Sequence, residues 1–580
     1  MTESLQPIRM KWWKFPSRQW MALLREREEQ VFLVLTLLIG ALVGLTAVAF
    51  ILLTERFGSR LYPAGGAAWH RLLVPVVGSL VMGYLLYRYF PDARGSGVPQ
   101  TKEALYAREG RITAGTMFGK FFCTSATLAS GIPLGREGPT VQVGGGIASV
   151  LGRSLGLRPE KVKALLPVAA AAAIAAAFNT PLAAVLFALE EVVGDLHARV
   201  LGSVVLASAT SWAMLRLLLG NNPLFKVPQY QLVNPWEFAI YAILGVAGGL
   251  VSVAFSKLLL GMRERFLKFP RKTVWFQPVA GGLVVGAMGW FVPQVLGVGY
   301  DHVGEVLNGG MALKLMVLLL VLKFFAVTVS YASGNAGGIF GPSLFLGAML
   351  GGAIGTVAHN LLPGYVATPG AYALVGMGAA FAGIVRAPMT SVVMIFEVTR
   401  DYAVIVPLMI ANLVSFFISS RLQKQAIYEA LARQDGIHLP TAETRGQEGQ
   451  RQVILAMRPA NLILLADMTV PEALEKIRSS ESAAWPVSDD SGVIGVLSFG
   501  KLQQAATAGS APKQLRDLLD AADFPHLHVD HPLSLALERM GACQLNALPV
   551  VARADIHKLE GVVTLKDVLA LYGVGSQEKA

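Results

Sequence analysis

Arg136 and Glu137 stand side by side in GIPLGREGPTVQVGGG (131–146), between two apolar stretches. A carboxylate in such a place can hold a proton, compete with an anion, or pair with its neighbour. At a bilayer mid-plane a charged side chain costs ~2.5–3.5 kcal/mol or more, so it is functional by default. Three segments share one grammar, a Gly-rich turn, a proline and an apolar helix: GSGVP (95–99), GREGP (135–139) and GGIFGPS (337–343). A helix N-terminus offers free N–H groups and the positive end of the dipole. A small anion could sit among three such turns without meeting a full positive charge. None of them is a phosphate loop, because no Gly-Lys-Ser/Thr follows. Glu137 could occupy the anion's place, take up a proton and swing away when an anion enters. Ser96 could donate its hydroxyl to the anion, although local sequence favours a helix cap. Lys120, in MFGKFFCTSATLAS, reads as a buried countercharge or a snorkelling cation. Glu190 and Glu191 end an apolar run and read as a membrane boundary or as buried chemistry.

The elements that must hold these groups are apolar. Of 580 residues, 54% are hydrophobic, 15% are charged and 60 are glycine. A soluble domain carries about 25% charged residues. Runs at 31–53, 71–90, 200–219, 236–260, 275–296, 312–331 and 403–420 reach the ~20 residues that span a bilayer. The chain is therefore expected to be a multi-pass membrane protein. Residues 1–30 mix basic residues with Trp12, Trp13 and Trp20, as a helix lying on a membrane surface would, and show no cleavable leader. Basic flanks at both ends of the apolar part (Arg9 to Arg27, then Arg421, Lys424 and Arg433) put both termini in the cytoplasm. The net charge of +11 then reflects topology rather than nucleic-acid binding. Cys123 and Cys543 are too few for a disulfide framework, and no metal-ligand cluster occurs.

Composition changes near residue 437. We expect a membrane domain at 31–437, a polar linker at 438–452 and a soluble tail at 453–580, where short strands alternate with helices. Both parts repeat internally. GREGP and GIFGP end 203 residues apart, while NTPLAAVLFALEEV (179–192) and RAPMTSVVMIFEVT (386–399) align Pro181 with Pro388 and Glu190 with Glu397, both 207 apart. Matched Gly/Pro-interrupted segments in two halves mark a transporter with a mid-plane site. In the tail, ALEK and ALER, and Trp485-Pro486-Val487 and Leu548-Pro549-Val550, recur 63 residues apart.

The tail resembles a pair of CBS modules, at about 453–510 and 515–575. In that family a Ser/Thr-x-x-Asp after the last strand meets the ribose of an adenine nucleotide. The second unit has Thr564 and Asp567; the first has Ser498 with Lys501 in the Asp position. GSGVP, GKFF, GREGPTVQVGGG, AAAFNTPLAAVLFALEE, GNAGGIFGPSLFLGA, APMTSVVMIFEVT and IYEALAR then occur in the order seen in CLC chloride channels and chloride/proton antiporters. This resemblance implies an all-α membrane domain of two inverted repeats with broken helices, followed by an α/β tail. It implies a homodimer with one anion path per subunit. Ser96 and Tyr428 would coordinate the anion through hydroxyls, and Ile339 and Phe340 through backbone N–H. Glu137 would be the external gate and Glu191 the internal proton relay. Gly95, Gly97, Lys120, Arg136, Gly138 and Pro139 would support them. The implied activity is exchange of chloride for protons in a prokaryotic inner membrane, with no cofactor beyond a nucleotide at the tail. The rival is a passive, voltage- or pH-gated chloride channel of the same fold. An intramembrane enzyme would need a nucleophile, base or metal cluster beside Glu137, and a mere sensor would not need three ion-site loops.

Overall fold

The computed structural model describes residues 28–574 except 63–66, 197–199, 221–223, 226, 228–229, 231–232, 438, 440–450, 481–482, 508–513, 520–523 and 553–554. The N-terminal segment expected on the membrane surface, and most of the linker, lie outside the described residues. The chain divides into two compact units, Met1–Leu439 and Pro440–Ala580.

The first unit is helical. Its first half runs α1 (Glu28–Leu61), α2 (Ala68–Arg88), α3 (Val98–Tyr106), α4 (Ala114–Ala129), α5 (Glu137–Ser154), α6 (Pro159–Phe178), α7 (Pro181–Phe187) and α8 (Leu201–Leu219). Its second half repeats the order as α9 (Glu237–Leu267), α10 (Pro278–Phe291), α11 (Tyr300–Leu307), α12 (Leu313–Ala332), α13 (Phe340–Leu361), α14 (Pro369–Val385), α15 (Pro388–Thr399) and α16 (Ile405–Leu422). A short α17 (Ile427–Gln434) closes the unit. Packing repeats with the order: α1 lies on α6 and α8 as α9 lies on α14 and α16. Among the described residues, eight helices are long and apolar enough to cross a membrane. Two of them, Pro159–Phe178 and Phe340–Leu361, are absent from the runs expected above. Their alanines and glycines are weakly hydropathic, but let helices pack closely. Conversely, the run at 275–296 yields only the 14-residue α10, about 21 Å long at 1.5 Å per residue.

The reason for the short helices lies in the loops. The turns of the two halves meet head to head: Gly135 N donates to Gly338 O and Gly338 N to Gly135 O, both at 2.7 Å. A Cβ on Gly97 would run into the carbonyl oxygen of Gly138, and one on Gly138 into that of Ser96. Gly97 also sits at φ +101°, in the region only glycine adopts freely. Unwound backbone survives here because it is buried in protein rather than lipid.

The second unit alternates strands and helices. β1 (Leu464–Leu465) pairs in parallel with β2 (Ala484–Asp489), which pairs antiparallel with β3 (Gly492–Ser498). β4 (Ala547–Ala552) pairs antiparallel with β5 (Asp555–Thr564). Helices α18 (Val470–Lys476), α19 (Phe499–Thr507), α20 (Leu533–Cys543) and α21 (Leu565–Leu571) cover two apolar cores, one around Trp485 and Leu497, the other around Leu548 and Val563.

Candidate functional site

The three Gly-rich turns converge on Glu137. It is fully buried at the first position of α5, accepts from Gly341 N at 3.3 Å through Oε2, and receives a close hydrogen bond from the Tyr300 hydroxyl through Oε1. Arg136 does not pair with it. The guanidinium lies 5.7 Å from the centroid of the Tyr300 ring instead. Gly138 and Pro139 continue the first turn of α5, wholly buried. Ile339 and Phe340 open α13, also buried. The Phe340 ring is wedged among Phe178, Phe187 and Phe381, with centroids 4.8, 5.6 and 4.4 Å away.

Ser96 does not cap its helix. Gly97 is the N-cap of α3, and its N–H is satisfied at 2.8 Å by Gln100 Oε1. The Ser96 Oγ and the Tyr428 Oη are both buried with no hydrogen-bond partner among the described residues. Such orphaned groups cost about 1–3 kcal/mol each, so they call for a polar ligand. Tyr331 at the end of α12 stands beside Ser96. Tyr428 lies within electrostatic reach of Glu137, Glu191 and Tyr331. The site thus draws on α3, α5, α7, α11, α12, α13 and α17. Lys120 is neither a countercharge nor a snorkel. Its buried Nζ donates to Ala93 O at 3.1 Å and, more closely, to Gly95 O, fixing the turn that carries Ser96.

Glu190 and Glu191 have separate tasks. Here α7 runs on as a π-helical turn, Ala188–Val193, the kind of widened turn that concentrates at functional sites. Glu191 pairs with Lys102 Nζ at 2.7 Å, with side chains 7% and 3% exposed. Glu190 caps α15, accepting from Met389 N at 3.2 Å, Thr390 N at 2.8 Å and Thr390 Oγ1 at 2.7 Å. Glu397 returns the contact to α7, accepting from Leu182 N at 2.9 Å and Ala183 N at 2.7 Å. Each helix begins with a proline, and neither local N-cap supplies a side-chain bond. Such reciprocal contacts are the mark of a two-fold relation.

Sequence reasoning missed Lys102, Tyr300, Tyr331 and Lys323. A signal existed for two of them. KFF at 120–122 recurs at 323–325, and GSGV at 95–98 recurs as GVGY at 297–300. Lys323 Nζ donates to Gly297 O at 2.9 Å and Val298 O at 2.7 Å, as Lys120 does in the first half.

In the tail, Ser498 ends β3 and Thr564 ends β5. Thr564 Oγ1 donates to Asp567 Oδ2 at 2.6 Å and accepts from Asp567 N at 3.2 Å, while Arg458 forms a close ion pair with the same carboxylate. Ser498 Oγ accepts from Lys501 N at 3.3 Å.

The family model described as voltage gated chloride channel matches residues 78–420. That described as CBS domain matches 451–506 and 515–573. A putative chloride channel protein ClcB-like from Ralstonia nicotianae is 35% identical over 386 residues, 65% of this chain and 89% of the relative. An H(+)/Cl(-) exchange transporter ClcA from Vibrio cholerae is 32% identical over 354 residues, 60% of this chain and 76% of its own. The solved structure of a slow cyanobacterial Cl-/H+ antiporter superposes with a TM-score of 0.64 at 25% identity, covering 70% of this chain and 97% of that one. A eukaryotic CLC transporter shares the fold over 94% of this chain and 98% of its own, with a TM-score of 0.61 at 21% identity. With more than half of its length matched and the turns of its two halves meeting around a buried carboxylate, the chain belongs to the CLC family of chloride channels and transporters and carries a C-terminal pair of CBS domains.

Proposed function

We propose that this protein exchanges chloride for protons, with Glu137 as the external gate and Glu191 as the internal proton relay. The observation that carries the reading is the pair of buried carboxylates, both within electrostatic reach of Tyr428, beside the orphaned hydroxyls of Ser96 and Tyr428. Chloride accepts hydrogen bonds from those two hydroxyls and from the backbone N–H groups of Ile339 and Phe340. The Glu137 carboxylate already accepts from Gly341 N, next to Phe340, and so competes with the halide for the N–H groups that open α13. Protonation removes the charge of Glu137 and its claim on those donors, and the anion then advances as the carboxyl withdraws. The proton passes between Glu137 and Glu191 by the inner side of the path. The relatives described as H(+)/Cl(-) exchangers support the same reading.

A passive chloride channel is the second reading, and one observation favours it. A relative described as a putative chloride channel protein is 35% identical over 386 residues. Purified protein in liposomes separates the two. An imposed chloride gradient is expected to drive protons uphill in the parent, while Glu191→Gln passes chloride without protons. Chloride flux with no proton movement in the parent would establish the channel.

The same proposal includes a homodimer in a prokaryotic inner membrane with both termini cytoplasmic. For the tail it includes an adenine nucleotide held by the second CBS unit. There Thr564 and Asp567 form one hydrogen-bonded unit able to meet a ribose. The first unit, with Lys501 in the acidic position, offers Ser498 alone.

A further inference from the structure

The turn GVGYD (297–301) is the second-half mate of GSGVP (95–99). Both turns hold their glycines at positive φ, Gly95 and Gly97 at 86° and 101°, Gly297 and Gly299 at 65° and 86°. Each is pinned by a buried lysine from the following long helix: Lys120 donates to Gly95 O in the turn and to Ala93 O just before it, and Lys323 donates to Gly297 O and Val298 O. The first turn presents Ser96. The second presents Tyr300, whose side chain is held on three sides. Arg136 lies over its ring, Phe225 meets the ring edge-on at 5.8 Å, and Gly341 is so close to the hydroxyl that a Cβ there would stand 2.7 Å away. The hydroxyl therefore has little freedom except to donate to Glu137.

We propose that Tyr300 is the positioning residue of the gate: its lysine-pinned hydroxyl holds the ionised Glu137 carboxylate in the anion path and so sets how readily the gate is released. This rests on the reading of Glu137 as the gate. A hydrogen bond donated to an ionised carboxylate is charge-assisted. A protonated Glu137 can return the bond merely as a neutral one, which is about half as strong. Tyr300 thus favours the closed, unprotonated gate, and chloride turnover waits on a proton that outcompetes it. The titratable and charged groups facing this carboxylate are Tyr300, Arg136 and Tyr428. None of the three but Tyr300 donates to it among the described residues.

The test is the external-pH profile of chloride flux in liposomes for the parent, Tyr300→Phe, Glu137→Gln and the double variant. Phenylalanine keeps the ring beneath Arg136 and against Phe225, so the fold is preserved. Tyr300→Phe is expected to move half-maximal flux up by about one pH unit, equivalent to about tenfold easier release at neutral pH. In the Glu137→Gln background the same change is expected to do nothing. An unchanged profile in Tyr300→Phe, or an equal effect with and without the Glu137 carboxylate, would overturn the proposal and leave the gate standing. Proton coupling that persists in Glu137→Gln would instead overturn the gate reading, and this inference with it.

Discussion

The two halves of the membrane domain fold alike and are charged differently. Aligned on their turns, Glu137 faces Phe340, Arg136 faces Ile339 and Ser96 faces Val298. Lys102 falls opposite Gly304, and Glu191 opposite Val398. What both halves keep is scaffold: the pinning lysines Lys120 and Lys323, the bridged Gly135 and Gly338, and the crossed caps Glu190 and Glu397. The groups found in one half only are therefore not needed to build the fold. Buried ionisable side chains are costly in a membrane, and the carboxylates gathered at the site, Glu137 and Glu191, both come from the first half. The second half contributes backbone, the phenols of Tyr300 and Tyr331, and aromatic walls.

The sharpest way to break this comparison is to make the halves more alike. Glu137→Gln is expected to abolish coupled proton movement entirely while the protein remains folded, checked by chloride-driven pH change in liposomes. Retained coupling would remove Glu137 from the charged half's task. The next effect concerns Lys102 and Glu191. Lys102→Met leaves a buried carboxylate unpaired and is expected to cost about 3–5 kcal/mol of stability. Lys102→Met combined with Glu191→Gln is expected to recover most of it in thermal unfolding in detergent. If the double variant is as unstable as the single one, the pair is not an energetic unit. The smallest effect tests what the halves share. Glu190→Gln and Glu397→Gln each weaken a crossed helix cap and are expected to cost about 1–2 kcal/mol apiece, with coupling per chloride unchanged. A loss of coupling in Glu190→Gln but not in Glu397→Gln would show that the caps are not equivalent.

How much of this was legible depended on whether a residue's role is local. Glu137 was legible because a carboxylate in a Gly/Pro-broken apolar segment has few other uses. The repeats announced the two halves, and the matched prolines gave the starts of α7 and α15. Ser96 looked locally like a cap, because a serine before a helix has the right type, and only the resemblance placed it at the anion; the φ of Gly97 hands the N-cap to glycine. Lys102 and Tyr300 act on partners 89 and 163 residues away. No spacing rule reaches across such a gap, and only the folded turns bring the pairs together. Lys120 was legible as a buried, supporting residue but its partners were not, since they are carbonyl groups, which every residue carries and no sequence advertises.

The crossed caps also bear on how the protein is made. Ala183 waits for a carboxylate that follows it by 214 residues. At ~5–20 residues per second of synthesis, that interval is roughly 10–40 s. During it the first half carries a proline-headed helix start and the carboxylate of Glu190 with neither partner yet in existence. The half-chain is thus an obligate intermediate rather than a domain, and whatever shelters it while the ribosome finishes is part of its folding pathway.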